Sequence, residues 1–275
     1  MARHHGRDGA RLPVLVAVML GMAAAPAAHA QTGSANAADV SVHIDLLGVA
    51  QLDVDPLAPA GFANATDPTY QQNSLPSYDS GGTLLHLATG SVSAEAQYSP
   101  SVSFSIAGAN DEIHDLSLSA VSILGDELLS IGANLIHVQS QVAGYCLPTR
   151  RQSRGVEDVG DTLFFSSFDA GNLSAGDDGL GSPGDDVTFD GLGISIMGTP
   201  VPGLPTNPPP NTTVDLGALG IGGATLVLNE RVVTGDGVNT LTLSTNGVHL
   251  TLDEAGLVIA DVVLAHSDSA IDCTQ

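Results

Sequence analysis

The chain has 275 residues, 43% of them apolar and only 13% charged, with thirty acidic groups against seven basic ones and no tryptophan. That apolar share excludes a disordered polar chain. A net charge of −23 argues against binding nucleic acid or anionic lipid, which both need Lys and Arg to displace counterions. The length fits one large domain or two small ones, and the core must be built from Val, Leu, Ile and Ala.

The N-terminus has the three parts of a secretory signal peptide. Arg3, Arg7 and Arg11, with His4 and His5, make a basic start, and Leu12–Ala25 is an apolar run. Ala28-His29-Ala30 supplies small residues for a signal peptidase, so cleavage is expected between Ala30 and Gln31. The apolar run falls short of the roughly 20 residues a helix needs to span a bilayer. Losing residues 1–30 removes three arginines and Asp8, which leaves 29 acidic against 4 basic groups, all arginine. The mature chain, residues 31–275, is therefore more acidic than the full sequence, a charge that keeps an exported protein dispersed.

Beyond Ala38 the dominant pattern is strand-like. Val40–Leu46, Ser101–Ile106, Gly193–Met197 and Leu241–Thr245 alternate apolar and polar residues at period two, which puts one set of side chains on a core and the other in water. Asp79–Gly82, Gly108–Asp111, Gly235–Gly237 and Thr245–Val248 read as turns between them, the last two carrying the Asp-Gly and Asn-Gly pairs of hairpins. No stretch shows a capped helical period. The expectation is an all-β protein, an antiparallel β-sandwich-like architecture.

An internal repeat divides the chain. Ile123–Cys146 and Leu250–Cys273 align without a gap, with identities at Asp126/Asp253, Glu127/Glu254, Ala133/Ala260, Ser140/Ser267, Ala143/Ala270 and Cys146/Cys273. This predicts two related halves, residues 31–146 and 155–275. They are joined by a linker at 147–154 that carries Arg150, Arg151 and Arg154. The arginines fit an exposed connection, with a processing site or an anion patch as the sharper alternative. Pro200–Pro210 is a stiff, extended insertion in the second half.

Cys146 and Cys273 are the only cysteines, and in an exported chain a disulfide is expected of them. They meet if equivalent strands of the two halves lie side by side. Otherwise they end at opposite sides of the molecule, unpaired. The acidic run around Asp177, Asp178, Asp185 and Asp186, spaced by glycines, is the candidate calcium site. Its alternative is a solvated loop, because it matches neither an EF-hand nor a tandem glycine-aspartate repeat. The six histidines of the mature chain form no HExxH pair, and the sequence contains no GxSxG elbow, P-loop or dinucleotide fingerprint. No catalytic or cofactor-binding residue is assigned, and calcium is the one possible cofactor.

The second half resembles bacterial surface proteins of the choice-of-anchor P family. The resemblance is carried by Asp190–Thr199, Pro208–Thr213, Ala224–Glu230, Asn246–Leu250 and Asp261–Ser267, and more loosely by Leu85–Ala96 and Ala120–Ser140. It implies an exported protein with no enzymatic activity and no known ligand. Asp272-Cys273-Thr274-Gln275 carries no apolar tail or sorting motif, so the expectation is a secreted, periplasmic or envelope protein without a covalent membrane or wall anchor. A structural or interaction role toward an extracellular partner is favoured, with a calcium-dependent binding module or a secreted hydrolase as alternatives.

Overall fold

The computed structural model describes residues 31–45, 51–101, 104–121, 126–145, 173–176, 187–219, 223–254 and 257–274. These form two antiparallel sheets packed face to face, without an α-helix among them. The all-β sandwich expectation therefore holds.

One sheet is built on the strands β16 (Thr240–Glu254), β17 (Leu257–Asp272) and β1 (Thr32–Asp45), side by side. Outside β16 lie β15 (Ala224–Gly235) and β14 (Thr212–Val214). The far edge of β1 is covered by β2 (Gln51–Val54) and β3 (Ala60–Ala65). The other sheet is built on the hairpin of β8 (Phe104–Val121) and β9 (Glu127–Tyr145). Along β8 run β6 (Leu85–Thr89) and β7 (Val92–Pro100), with β5 (Tyr78–Asp79) beside β6 and β4 (Thr69–Leu75) beside β7. Along β9 run β10 (Leu173–Gly176), β11 (Val187–Asp190) and β12 (Gly193–Ile196), with β13 (Thr199–Pro200) beyond β12.

Each half of the sequence contributes to both sheets. The N-terminal β1, β2 and β3 join the sheet of β14–β17, while β10–β13 extend β9 in the other sheet. The repeated segments end on β9 and β17, which do not lie side by side but stack across the sandwich. Ile136 and Val138 face Gly247 beside Leu264, Ser140 meets Ser269, and Val142 packs with Ile271 and Cys273. Numbers rise together along both strands, so they run in the same direction.

Period-two alternation explains the buried faces, but its phase changes within single strands. Residues 35, 37 and 39 of β1 are buried, then 40, 42 and 44. Consecutive buried pairs mark the same change at Leu228-Asn229 in β15, Gly247-Val248 in β16 and Leu264-Ala265 in β17. These positions form one line across the sheet. On either side of it β17 pairs Leu264 with Val40 and His266 with Ala38. The pairing register is the same on both sides of the line, so what changes is the side-chain phase within each strand, and left-handed backbone at Asn229 (φ 51°) and Ala265 (φ 56°) accommodates the change. For Ala265, which lacks the freedom of glycine, that conformation costs roughly 1–2 kcal/mol.

Two of the expected turns are corrected. Thr245–Val248 lies inside β16 and Gly108–Asp111 inside β8, whereas Asp79–Gly82 and Gly235–Gly237 do turn the chain. The Asn-Gly pair of β16 is no hairpin because Gly247 serves close approach. A Cβ there would stand 2.8 Å from Val138 Cγ2 and 2.9 Å from the Leu264 carbonyl oxygen.

Candidate functional site

The phase change has chemical consequences on both faces of the β1–β17 sheet. Inside, it places polar side chains in a belt across the sandwich: Asp39, Asp111, Ser140, Thr245, Ser267 and Ser269, all inaccessible to solvent. On one side of the belt lies the large aliphatic core, including Val40, Val42, Ile113, Leu118, Ile136, Leu250 and Val262. On the other lie an alanine cluster (Ala35, Ala37, Ala60, Ala94, Ala96, Ala109) and a cluster around Tyr98.

Asp39 of β1 and Asp111 of β8, both fully buried, point into the belt from the two sheets as neighbouring carboxyls. Asp39 Oδ2 accepts the Ala58 N–H at 2.8 Å. Asp39 Oδ1 and both Asp111 oxygens lack a well-formed partner, although the backbone N–H groups of His266 and Glu112 lie close to Asp111. Burial, then the neighbouring Asp39 carboxyl, pushes Asp111 well above the ordinary carboxylate range. Burial also raises Asp39, against the lowering influence of the neighbouring Asp111 carboxyl and the Ala58 N–H. Further along the belt Ser140 and Ser269 join the sheets, with 2.7 Å between hydroxyls, and the Ser269 hydroxyl donates to the Ser140 carbonyl at 2.9 Å. Ser140 Oγ–H is thereby the donor to Ser269.

On the outer face the same strands carry a continuous row of polar side chains. Glu230 Oε2 accepts from Asn246 Nδ2 and bonds His249 Nδ1, both at 2.7 Å. His249 Nε2 reaches Asp261 Oδ1 at 3.1 Å. Asn246 Oδ1 meets His266 Nδ1 at 2.6 Å, and His266 Nε2 meets Asp268 Oδ2 at 2.9 Å. Each imidazole thus has an acceptor at both nitrogens, so its imidazolium form donates twice. For Asp268, burial opposes ionisation, yet the His266 ring and the Ser244 hydroxyl hold the carboxyl below its usual range. A row in which both nitrogens of each ring are engaged suits cross-strand bonding rather than metal chelation. Among the described residues no group of three or more His, Cys, Asp or Glu is arranged to hold a metal ion.

The opposite outer face holds an open hollow of about 570 Å³ beside β9 and β12, lined by Asp115, Ser130, Gly132, Asn134, Gly193 and Ser195 among others. Among its neighbours Asn134 Nδ2 donates to Asp190 Oδ2 at 3.3 Å and Ser195 Oγ to Glu127 Oε1 at 2.5 Å.

Of the residues singled out in the sequence, Asp177, Asp178, Asp185 and Asp186 lie outside the described residues, as do Ala30 and Cys146 and the linker 147–154. Gln31 is the first described residue; its side chain accepts a hydrogen bond from the buried Ser105 hydroxyl, and Thr32 already pairs with Asp272. Cys273 packs with Tyr98, Val142 and Ile271, and its N–H donates to the Asn239 carbonyl at 2.7 Å. Sequence reasoning missed Asp39 altogether and took Asp111 for a turn residue. The available signal was an acid inside an apolar, period-two run, at the point where the period changes phase.

No protein-family profile, curated protein or solved structure matches the chain.

Proposed function

We propose that this is an exported, non-enzymatic bacterial protein of the envelope or extracellular space, with a structural or interaction role, of the choice-of-anchor P kind. The observation that carries this reading is how its polar side chains are used. The charged groups of the β1–β17 face bond one another in a row, and the interior polar groups link the two sheets. That chemistry holds strands together. Support for export comes from the leader pattern of residues 1–30 and from β1, which begins at Thr32, two residues after the expected cleavage.

We further propose a Cys146–Cys273 disulfide. Tyr145 ends β9 opposite Phe104, and Val142, three residues earlier, shares a cluster with Cys273. Stacking of β9 on β17 in the same direction brings the ends of these two strands to one end of the sandwich.

Expression with the leader intact, followed by non-reducing mass spectrometry of the exported protein, tests both ideas. The expected result is a chain starting at Gln31 with no thiol open to alkylation. Retention inside the cell with residues 1–30 attached would sink the export reading, and two alkylatable thiols would sink the disulfide.

A further inference from the structure

The buried pair of acids is a feature the proposed role does not use. Two fully buried carboxyls lie side by side in a core otherwise made of aliphatic and hydroxyl side chains. Ionising both would place two like charges at close range in a medium of low dielectric, which proteins avoid by retaining a proton.

The surroundings supply no counter-charge among the described residues. From β1 and β3 the neighbours are Ala37, Val40 and Ala60, and Ala58 contributes only its N–H. From β17 they are Leu264, Ala265 and Ser267, while the His266 ring is engaged on the outer face by Asn246 and Asp268. From β7 the residue opposite Asp111 is Ala94, and the adjacent Glu95 bonds Gln72 outside. From β9 it is Val138, and Glu112 pairs outward with His137 at 3.3 Å.

We propose that Asp39 and Asp111 hold a single proton between them, and that this proton fastens the two sheets across the belt. Placed on Asp111 and donated to Asp39 Oδ1, it gives partners to two of the three oxygens that otherwise lack them. The Ala58, His266 and Glu112 N–H groups then face the one remaining negative charge, which is shared by the pair. Asn at either position reproduces the arrangement, because its amide donates to the remaining carboxylate. The pair carries one negative charge in the natural chain and in either single variant, and none in the double variant.

Capillary electrophoresis of the folded protein at about pH 7 reads this directly, with the exposed Asp67→Asn as the one-charge standard. Asp111→Asn and Asp39→Asn are expected to migrate with the natural protein, and the double variant one charge step away. A full step for either single variant would show a doubly ionised pair and overturn the proposal. An infrared spectrum of the natural protein at the same pH, which depends on no variant, is expected to show the carbonyl stretch of a protonated carboxylic acid. Its absence would overturn the proposal equally.

The linkage has a definite sign. A carboxyl raised in the folded state favours folding fully below its unfolded pKa of about 4, and that contribution is lost as pH rises toward the folded value. Relative to Asp111→Asn, the natural protein is therefore expected to lose up to tenfold in folding constant per pH unit above about pH 4. Parallel stability curves for the two would refute the link between proton and sheet contact.

Discussion

The two ends of the sandwich interior are built differently, and the polar belt divides them. On one side Ile113, Leu118, Leu129, Ile131, Ile136 and Leu226 interlock as large aliphatic side chains. On the other, Ala35, Ala37, Ala94, Ala96 and Ala109 present little more than backbone, beside Tyr98 packed with Val142, Leu243 and Ile271. Hydrophobic burial grows with apolar area, at about 25 cal/mol per Å², so the aliphatic end draws most of its stability from side-chain volume. The alanine end has little volume to lose and depends on close fit and cross-links. Removing side-chain volume is therefore expected to cost stability at the aliphatic end, and adding volume to cost it at the alanine end.

The largest effect concerns the cross-link. Breaking the proposed Cys146–Cys273 bond, by reduction or by Cys273→Ser, should destabilise the protein by about 4 kcal/mol if chain entropy dominates. Chemical denaturation of oxidised and reduced protein measures it. Equal midpoints would remove the cross-link from the account of the alanine end.

Next comes Leu118→Ala at the aliphatic end, expected to cost about 3 kcal/mol through lost burial and a residual cavity. A loss under about 1 kcal/mol in thermal or urea unfolding would erase the contrast between the ends. The converse test is Gly33→Ala at the alanine end. A Cβ on Gly33 would stand 2.0 Å from Tyr98 Cδ2, so a side chain smaller than the one removed from Leu118 should still cost about 1–3 kcal/mol by overpacking. Unchanged stability would show that Tyr98 yields freely.

A smaller loss, about 1 kcal/mol, is expected for Ser140→Ala, which removes the hydroxyl bond to Ser269 between the ends. Combining it with Ser269→Ala should cost less than the sum of the two, since the bond between the hydroxyls can be lost only once. Additive losses would contradict the direct contact.

The smallest effect lies at the Gly235–Gly237 turn, where Asp236 Oδ1 accepts the N–H groups of Thr240, Val238 and Asn239 at 2.6–2.9 Å. Those bonds hold the Asp236 carboxyl far below its ordinary value. Its contribution is present above the unfolded value and lost as pH falls through the folded one. Asp236→Asn should therefore lower stability at neutral pH, converge with the natural protein at low pH and so flatten the acid limb of the stability curve. An identical acid limb in the variant would show that the turn does not need the charge.

Much of this fold was legible because it follows from local alternation. The strand around Val40, Val42 and Ile44, the inward Ile194 and Ile196, and the turns at Asp79 and Asp236 needed only period two and turn chemistry. The belt was not legible, because it arises where that rule breaks. Ala38-Asp39-Val40 and Leu264-Ala265-His266 look like ordinary strand residues. Only the alignment of four such phase changes across neighbouring strands turns Asp39 inward, toward an acid on another sheet. Gly247 misled for the same reason: an Asn-Gly pair signals a hairpin locally, and close approach of the opposite sheet overrides it. The repeat pointed to the central hairpins, yet it held no information on which strands change sheets.

One consequence follows from the place of β1. Thr32 pairs with Asp272 and Ile44 with Ala260, so the first strand of the fold is zipped along the last. Few contacts in a protein are more distant along the chain, and closing such loops before any contact rewards them makes folding slow. The sandwich cannot assemble while its C-terminal strand is still being made. A nascent or truncated chain lacking β17 leaves the pairing edges of β1 and β16 bare.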